Sequence, residues 1–242
     1  MPANSRLPVP LIAVDALTKD FGAVRAVDNV SFEIAPGRVV GLLGPNGSGK
    51  TTMLRMLLGL VAPTSGQALI GGRRYAELDG PGRQVGVVLE ANAFDGRRTA
   101  RNHLRVLSVE GGFDPARVDA VLGLVGLREA ADRHVGDFSL GMGQRLSLAG
   151  ALLGDPPVLI LDEPTNGLDP AGIRWLRDLL RGFASEGRTV LLASHVLAEV
   201  AQSVDEVLIL DRGRLRAHRR MADIDSLEDD FLELTDYEEG RS

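Results

Sequence analysis

Short, almost entirely apolar runs recur along the chain, and helical patterns lie between them. The runs are VVGLL (39–43), VGVVL (85–89), VLIL (158–161), TVLLA (189–193) and VLIL (207–210). Several of them lack polar alternation, which is typical of strands buried on both faces of a mostly parallel sheet. Strands that alternate with helices along the chain predict an α/β fold.

Three helices are predicted from apolar periodicity and capping residues. One follows Gly49 directly, in the segment TTMLRMLLGL. The other two begin at Asp-Pro pairs, Asp114-Pro115 and Asp169-Pro170, where the aspartate would be the N-cap and the proline would lie in the first turn. Residues 91–155 carry helical patterns and no strong strand pattern, so we expect a helical lobe inserted into the sheet domain.

The two ends of the chain differ from this middle section. Residues 11–34 alternate between apolar and polar positions and predict antiparallel strands at an edge. The tail from Asp223 to Glu239 holds nine acidic residues and no basic one, and SLEDDFLEL within it predicts a last amphipathic helix, capped by Ser226, that packs on the core. We therefore divide the chain into a domain at 11–222, with its sheet core at 11–90 and 156–222 and its helical lobe at 91–155, and an acidic C-terminal helix and tail at 223–242.

The composition narrows the possible functions. The chain has 242 residues, a formal net charge of −6 and no cysteine, which excludes disulfides, thiolate nucleophiles and cysteine metal sites. Because no apolar run approaches the ~18–20 residues of a membrane span and the first residues lack a signal-peptide pattern, we expect a cytoplasmic protein. The acidic balance argues against broad nucleic-acid binding. Only two of the 27 basic residues are lysines, Lys19 and Lys50.

Lys50 lies in a glycine-rich loop that predicts phosphate binding. The segment GPNGSGKT fits the pattern G-x-x-x-x-G-K-[ST] between an apolar run and a helical pattern. Its glycines let backbone N–H groups wrap an anion, Lys50 can reach the β- and γ-phosphates, and the Thr51 hydroxyl can bind Mg²⁺. The alternative, a glycine-rich turn with a chance lysine, does not explain this context. The candidate ATP-binding residues of the loop are Gly44, Pro45, Asn46, Gly47, Ser48, Gly49, Lys50, Thr51 and Thr52.

A pair of carboxylates follows another apolar run. In PVLILDEP, Asp162 would lie at the carboxyl end of a buried strand, where ligands bind in open α/β sheets. We expect Asp162 to hold Mg²⁺ opposite Thr51 and Glu163 to polarise the attacking water as a general base. The alternative is a polar strand end without chemistry, which the phosphate loop makes the weaker interpretation.

With these motifs in place, the chain resembles the ATP-binding subunit of an ABC transporter from about Ala13 to Thr235. LDEPTNGLD is similar to the family's Walker B and D-loop run, FSLGMGQR (138–145) stands where the family has its LSGGQ signature, and HVLAEV begins at the family's switch histidine. The resemblance implies a P-loop NTPase (RecA-like) α/β fold, with a mostly parallel sheet core, N-terminal antiparallel strands and an inserted helical lobe. It also implies that the chain hydrolyses ATP with Mg²⁺.

The resemblance further assigns roles residue by residue. Two such subunits dimerise head to tail, so the signature, Ser139, Leu140, Gly141 and Met142, would face the ATP bound by the partner. Without the resemblance, an ordinary helix capped by Ser139 is the simpler interpretation. His195 would act with Glu163, although a lone histidine is more often structural. Asp169 would lie at the dimer interface as well as capping a helix. Phe21 would stack on adenine, and its alternative is a core aromatic of an edge strand.

Two departures from the family pattern are informative. Glu90 stands where the family has its Q-loop glutamine, and it could still bind Mg²⁺. Leu140 and Met142 replace a glycine and the glutamine of the signature. Glutamate at this place with a signature of this kind, together with the closing FLELT, is similar to the bacitracin and lantibiotic branch of ABC-2-type export and immunity subunits. This resemblance favours export.

The function predicted from these observations is an ATPase that powers a separate integral membrane permease from the cytoplasmic face of the cell membrane. Its partners would be ATP, a second ATP-binding subunit, most simply an identical chain, and the permease, with no nucleic acid. The alternatives are an ABC ATPase that acts on ribosomes or DNA, an importer ATPase, and an inactive binding module. The single phosphate loop disfavours the first, and the intact Lys50, Asp162 and Glu163 disfavour the last.

Overall fold

Two sheets organise the fold in the computed structural model, which describes residues 11–89 and 94–235. The strands are β1 (Ile12–Phe21), β2 (Val24–Ile34), β3 (Val39–Leu43), β4 (Ser65–Ile70), β5 (Val85–Val88), β6 (Val158–Asp162), β7 (Thr189–Ser194), β8 (Glu206–Asp211) and β9 (Arg214–Arg220). The helices are α1 (Lys50–Leu57), α2 (Ala100–Glu110), α3 (Arg117–Leu124), α4 (Leu140–Ala151), α5 (Pro170–Ser185), α6 (Leu197–Ala201) and α7 (Leu227–Leu234). No helix among the described residues is long and apolar enough to cross a membrane.

The larger sheet positions the site. It has six strands in the order β5-β6-β7-β3-β8-β9, of which the first five are parallel to one another and β9 is antiparallel to β8. All five apolar runs form strands of this sheet, and β3 and β7 are buried along their whole length. Because β3, β6 and β7 run in the same direction, their carboxyl ends meet at one edge of the sheet, where Leu43, Asp162 and Ser194 end their strands.

The smaller sheet is antiparallel, in the order β2-β1-β4. The antiparallel strands predicted for 11–34 are therefore confirmed, but they form a sheet of their own and not an edge of the main one, because β1 pairs on one side with β2 and on the other with β4. Its apolar side chains, those of α1 and one face of the main sheet make a single buried cluster. Helix α1, which follows the phosphate loop, is thus packed into this buried cluster.

The other face of the main sheet is covered by helices. Among the described residues 94–155 there are helices and short 3-10 turns but no strand, as predicted. Helices α2 to α7 all contribute to the second buried cluster. One cap is placed differently from the prediction. Helix α3 begins at Arg117 and not at the Asp-Pro pair, because the Asp114 carboxylate accepts a hydrogen bond from the Ala116 N–H (2.9 Å) and forms a turn before the helix.

The C-terminal helix α7 packs on this second cluster. Leu227 and Phe231 are buried there, and the Ser226 hydroxyl accepts a hydrogen bond from the Asp229 N–H (3.2 Å) as the N-cap. The predicted amphipathic last helix is confirmed. Its acidic residues in the first turn lie at the positive end of the helix dipole, where negative charge is stabilising.

Candidate nucleotide-binding site

The loop between β3 and α1 has the backbone of an anion cradle. Helix α1 starts at Lys50 without a side-chain cap, and Gly49 before it has a φ of 105°, in the left-handed region that favours glycine. A Cβ on Gly49 would lie 2.5 Å from the Ala26 carbonyl oxygen, so no larger residue fits there. The N–H groups of the first helical turn are therefore free of a cap and available to a phosphate.

Lys50 is held inside this loop. Its buried ammonium donates hydrogen bonds to the carbonyl oxygens of Gly44 (2.6 Å) and Pro45 (3.0 Å). Burial lowers the pKa of Lys50, and the nearby carboxylates of Glu163 and Asp162 oppose that shift. A buried cation forms stronger hydrogen bonds with a phosphate anion than with neutral carbonyls, so Lys50 is well placed to bind phosphate.

The Thr51 hydroxyl donates a hydrogen bond to Asp162 Oδ2 (2.7 Å), which joins the phosphate loop to the end of β6. Burial raises the pKa of Asp162, the Thr51 hydroxyl opposes the shift and the adjacent Glu163 adds to it. The second oxygen, Asp162 Oδ1, is buried without a hydrogen-bond partner among the described residues. A buried carboxylate oxygen without a donor fits a site for a cation.

This donor set fits Mg²⁺. The described residues contain no group of three or more His, Asp or Glu side chains that could enclose a metal. Mg²⁺ is commonly held by only one or two protein oxygens together with waters and substrate phosphates, which matches Thr51 and Asp162. The third predicted ligand, Glu90, lies outside the described residues.

Glu163 and His195 form a second pair beside the first. Glu163 follows β6 with a φ of 48°, which is strained for a residue other than glycine, and its N–H donates a hydrogen bond to the Ala193 carbonyl (2.9 Å). This conformation brings Glu163 Oε1 to 2.8 Å from His195 Nδ1. The other oxygen, Glu163 Oε2, is buried without a partner among the described residues. The carboxylate is thus oriented by the imidazole and keeps one free acceptor.

Lys50, Thr51, Asp162 and Glu163 border a cleft of about 580 Å³, whereas His195 contacts Glu163 without lining the cleft. The predicted residues that line it are Asn46, Gly47, Ser48, Gly49, Lys50, Thr51, Thr52, Leu140, Asp162 and Glu163. Five further lining residues were not predicted, namely Ala26, Leu89, Gln144, Asn166 and Gly167. Asn166 and Gly167 directly follow the DEPT segment, which was a usable signal, whereas Ala26 reaches the cleft only through the packing of the smaller sheet.

The signature segment begins helix α4. Ser139 is its N-cap, as predicted, and accepts a hydrogen bond from the Met142 N–H (3.2 Å). Leu140 is 68% exposed and lies against Gly167. The two residues are so close that a Cβ added to Gly167 would be only 2.8 Å from the Leu140 Cβ. Ser139, Gly141 and Met142 do not line the chain's own cleft.

Two more predicted residues have clear structural positions. Asp169 is the N-cap of α5 and accepts a hydrogen bond from the Gly172 N–H (2.7 Å), as predicted. Phe21 is 51% exposed at the end of β1, with the Lys19 ammonium 4.9 Å from its ring centre. The alternative of a core aromatic is therefore wrong, although Phe21 does not line the cleft.

Comparison with known proteins identifies the family. Residues 27–166 match the ABC transporter family. The chain belongs to the ABC transporter family. The predicted family, the P-loop NTPase fold class and the enzyme class, an ABC-type ATPase, are confirmed.

Individual relatives in the ABC transporter family cover most of the chain. It is 43% identical over 208 residues to the bacitracin transport ATP-binding protein BcrA of Bacillus licheniformis, covering 85% of this chain and 68% of that protein. It is 36% identical over 221 residues to the lantibiotic transport ATP-binding protein SrtF of Streptococcus pyogenes, covering 91% and 96%. A solved ATP-binding subunit of an ABC transporter matches with a TM-score of 0.83 at 30% identity, covering 93% of this chain and 99% of that chain.

Proposed function

We propose that this chain is the ATP-hydrolysing subunit of an exporter and works on the cytoplasmic face of the membrane by driving a separate permease. The observation that carries the proposal is that Lys50, Thr51, Asp162 and Glu163 line one cleft, where Glu163 is paired with His195. An anion cradle, a cation site and an oriented carboxylate are the parts that phosphoryl transfer to water requires.

The chemical step follows from the positions of these side chains. Lys50 exchanges its carbonyl partners for the β- and γ-phosphate oxygens of ATP, and the first turn of α1 binds the same phosphates through its N–H groups. Thr51 and Asp162 would hold Mg²⁺, which neutralises charge on the phosphates when bound. Glu163 accepts the proton of the attacking water on its free oxygen, and His195 keeps that carboxylate in place. The products are ADP and inorganic phosphate.

A second subunit completes the site in this proposal. The phosphate loop lines the cleft, whereas Ser139, the N-cap of α4, does not. The Ser139 end of α4, with Leu140, Gly141 and Met142, would bind the γ-phosphate held by the partner, and Asp169 would lie at the shared interface. We take the dimer to be one of identical chains.

The relatives support export and a permease. The bacitracin and lantibiotic proteins are described as transport ATP-binding proteins, and a Nod factor export ATP-binding protein of Paraburkholderia xenovorans is 39% identical over 213 residues. A structural relative at 26% identity, cbiO1 of Clostridium perfringens, is part of an ABC transporter complex. These relatives favour a peptide, an antibiotic or another hydrophobic compound as the exported substrate.

Cell sensitivity tests the proposal. We expect cells that lack this chain to become more sensitive to peptide antibiotics that act on the cell wall, and the wild-type chain to restore resistance. Glu163→Gln should fail to restore it, because that variant binds ATP but lacks the general base. Restored resistance with Glu163→Gln would contradict a role for hydrolysis. Unchanged sensitivity across a panel of such peptides would contradict export of that class and leave the ATPase assignment standing.

A further inference from the structure

Gln144 is a buried polar residue that the proposed mechanism does not use. It lies on α4 and is 4% exposed, yet its Oε1 has no hydrogen-bond partner among the described residues. A buried amide oxygen without a donor destabilises a fold, and an apolar side chain of the same length would avoid that cost. A structural role alone therefore gives no reason for glutamine at this position.

The surroundings of Gln144 connect two sites. It lines the nucleotide cleft together with Asp162 and Glu163, and it borders a small apolar cavity together with Trp175. Leu140 and Gln144 are four residues apart and share one face of α4, and both line the cleft. The same helix has Ser139 as its N-cap, and Ser139 does not line this cleft. Helix α4 thus contacts the chain's own cleft through Leu140 and Gln144, while its N-cap lies outside the cleft lining.

The far side of α4 is fastened to its neighbours. Arg145 lies over the Trp175 ring of α5, with its guanidinium carbon 4.1 Å from the ring centre, and it donates a hydrogen bond to the Val125 carbonyl (3.0 Å). A shift of α4 relative to the cleft would therefore change the surroundings of Trp175, which is the only tryptophan of the chain.

We propose that Gln144 is a positioning residue that couples occupancy of the chain's own nucleotide site to the orientation of α4, and so to the Ser139 end that meets the partner's nucleotide. The proposal rests on the proposed ATPase function. When ATP and its attacking water are bound, Gln144 Oε1 gains the donor that it lacks among the described residues, from a water beside Glu163. The energy of that contact would bias α4 toward the orientation that binds the second site.

Gln144→Met tests the proposal, because methionine keeps the length of the side chain and removes its hydrogen bonds. We expect an unfolding temperature no lower than that of the wild type and an ATP affinity within about twofold of it, but a kcat lower by about tenfold or more, because the energy of the contact goes into the orientation of α4 and not into ATP affinity. The ATP-induced change in Trp175 fluorescence should be lost.

The matched control is Gln84→Met, because the Gln84 amide is already paired with the Asp79 carbonyl (2.8 Å) and lies outside the cleft. It should leave the ATP affinity, kcat and fluorescence change as in the wild type.

Several results would overturn the proposal. A folded Gln144→Met chain with wild-type kcat and fluorescence change would do so, as would losses of kcat, ATP affinity and thermal stability in proportion, which indicate a structural role. A wild-type chain whose Trp175 emission ignores ATP would also contradict it. If the methionine variant does not fold, Gln144→Asn decides, since its retracted amide should lower kcat while ATP affinity is kept. Absence of ATP binding and hydrolysis in the wild type would instead contradict the proposed function itself.

Discussion

The phosphate loop and the signature end of α4 are both glycine-containing segments at the start of a helix. They differ in how many of their contacts are made within one chain. In the phosphate loop, Lys50 has two carbonyl partners and Thr51 is bonded to Asp162, so the chain's own contacts fix the polar groups. At the start of α4, Ser139 caps the helix, but the next residue, Leu140, is largely exposed where it borders the cleft. The first segment has its polar groups paired within one chain, and in our proposal the second becomes part of a nucleotide site only when another chain supplies the nucleotide.

Removing Lys50, the cation of the phosphate loop, should have the largest effect on ATP affinity. In Lys50→Ala the phosphates lose their charged partner in a buried setting, where hydrogen bonds to charged groups are strongest, so we expect ATP affinity to fall by about 100-fold or more. Equilibrium binding of ATP to the purified variant measures this. An affinity equal to that of the wild type would show that this loop is not the phosphate site.

Removing the Ser139 hydroxyl should separate its role as the N-cap of α4 from its proposed role in ATP-dependent association. Ser139→Ala loses an N-cap, which costs about 1 kcal/mol of stability, and should also weaken ATP-dependent association by about tenfold. Thr99→Ala is the matched control, because Thr99 caps α2 with the same geometry, accepting from the Asn102 N–H at 3.2 Å. We expect equal losses of stability, measured by thermal unfolding, and a loss of association only for Ser139→Ala. Equal association of the two variants would leave Ser139 as a cap and nothing more.

Phe21 tests how far the site of one chain extends beyond the phosphate loop. If its exposed ring stacks on adenine, Phe21→Ala should weaken ATP binding by about fivefold, since such a contact contributes about 1 kcal/mol. Val24→Ala provides the comparison, because Val24 is Phe21's partner across β1 and β2 and is also exposed. Equilibrium ATP binding measured for both variants decides the matter. Equal affinities would contradict the adenine platform.

Asp162 should have a smaller effect, on the free energy of unfolding, and the size of that effect depends on pH. Because burial raises the pKa of folded Asp162 above the ordinary value of 3.8, its contribution to stability is greatest below that value and is lost as the pH rises through the folded-state pKa. Asp162→Asn should therefore raise the unfolding temperature at neutral pH, by about 2–4 °C for about 1 kcal/mol in a chain of this size. The difference should shrink as the pH falls toward 3.8.

Asp155 is the control for that experiment, because its replacement should change the unfolding temperature in the opposite direction. Its hydrogen bond to Arg188 holds the pKa of Asp155 below the ordinary value, so its stabilisation is present at neutral pH and is lost as the pH falls. Asp155→Asn should therefore lower the unfolding temperature at neutral pH. Thermal unfolding of both variants between acidic and neutral pH measures the two trends. A common sign would contradict the account of Asp162 as a carboxylate kept at the expense of stability.

The sequence predicted those features that depend on neighbouring residues along the chain. The five apolar runs, the caps at Asp169, Ser139 and Ser226, and the phosphate loop all follow from local pattern, and the structure has them. The cap at Asp114 was wrong because a turn through Ala116 competes locally with the helix start.

What sequence reasoning missed depends on contacts between distant segments. The separate antiparallel sheet follows from β4 pairing with β1, and Ala26 lines the cleft only because that sheet lies over α1. Gln144 was missed because its position on the cleft wall depends on how α4 packs against β5, a strand far away in the sequence. The pairing of Glu163 with His195 was reachable from the sequence, since both follow parallel strands, but its 2.8 Å geometry depends on the strained backbone of Glu163.

The solution mass of Glu163→Gln, with and without Mg-ATP, tests the central claim most directly. Loss of the general base should keep ATP in place, so that each complete phosphate loop can bind the Ser139 end of a second chain. We predict a monomer without nucleotide and a dimer with Mg-ATP, despite Leu140 and Met142 in the signature. A mass that stays monomeric while ATP binding is measured would contradict the claim that two of these chains share their nucleotide sites.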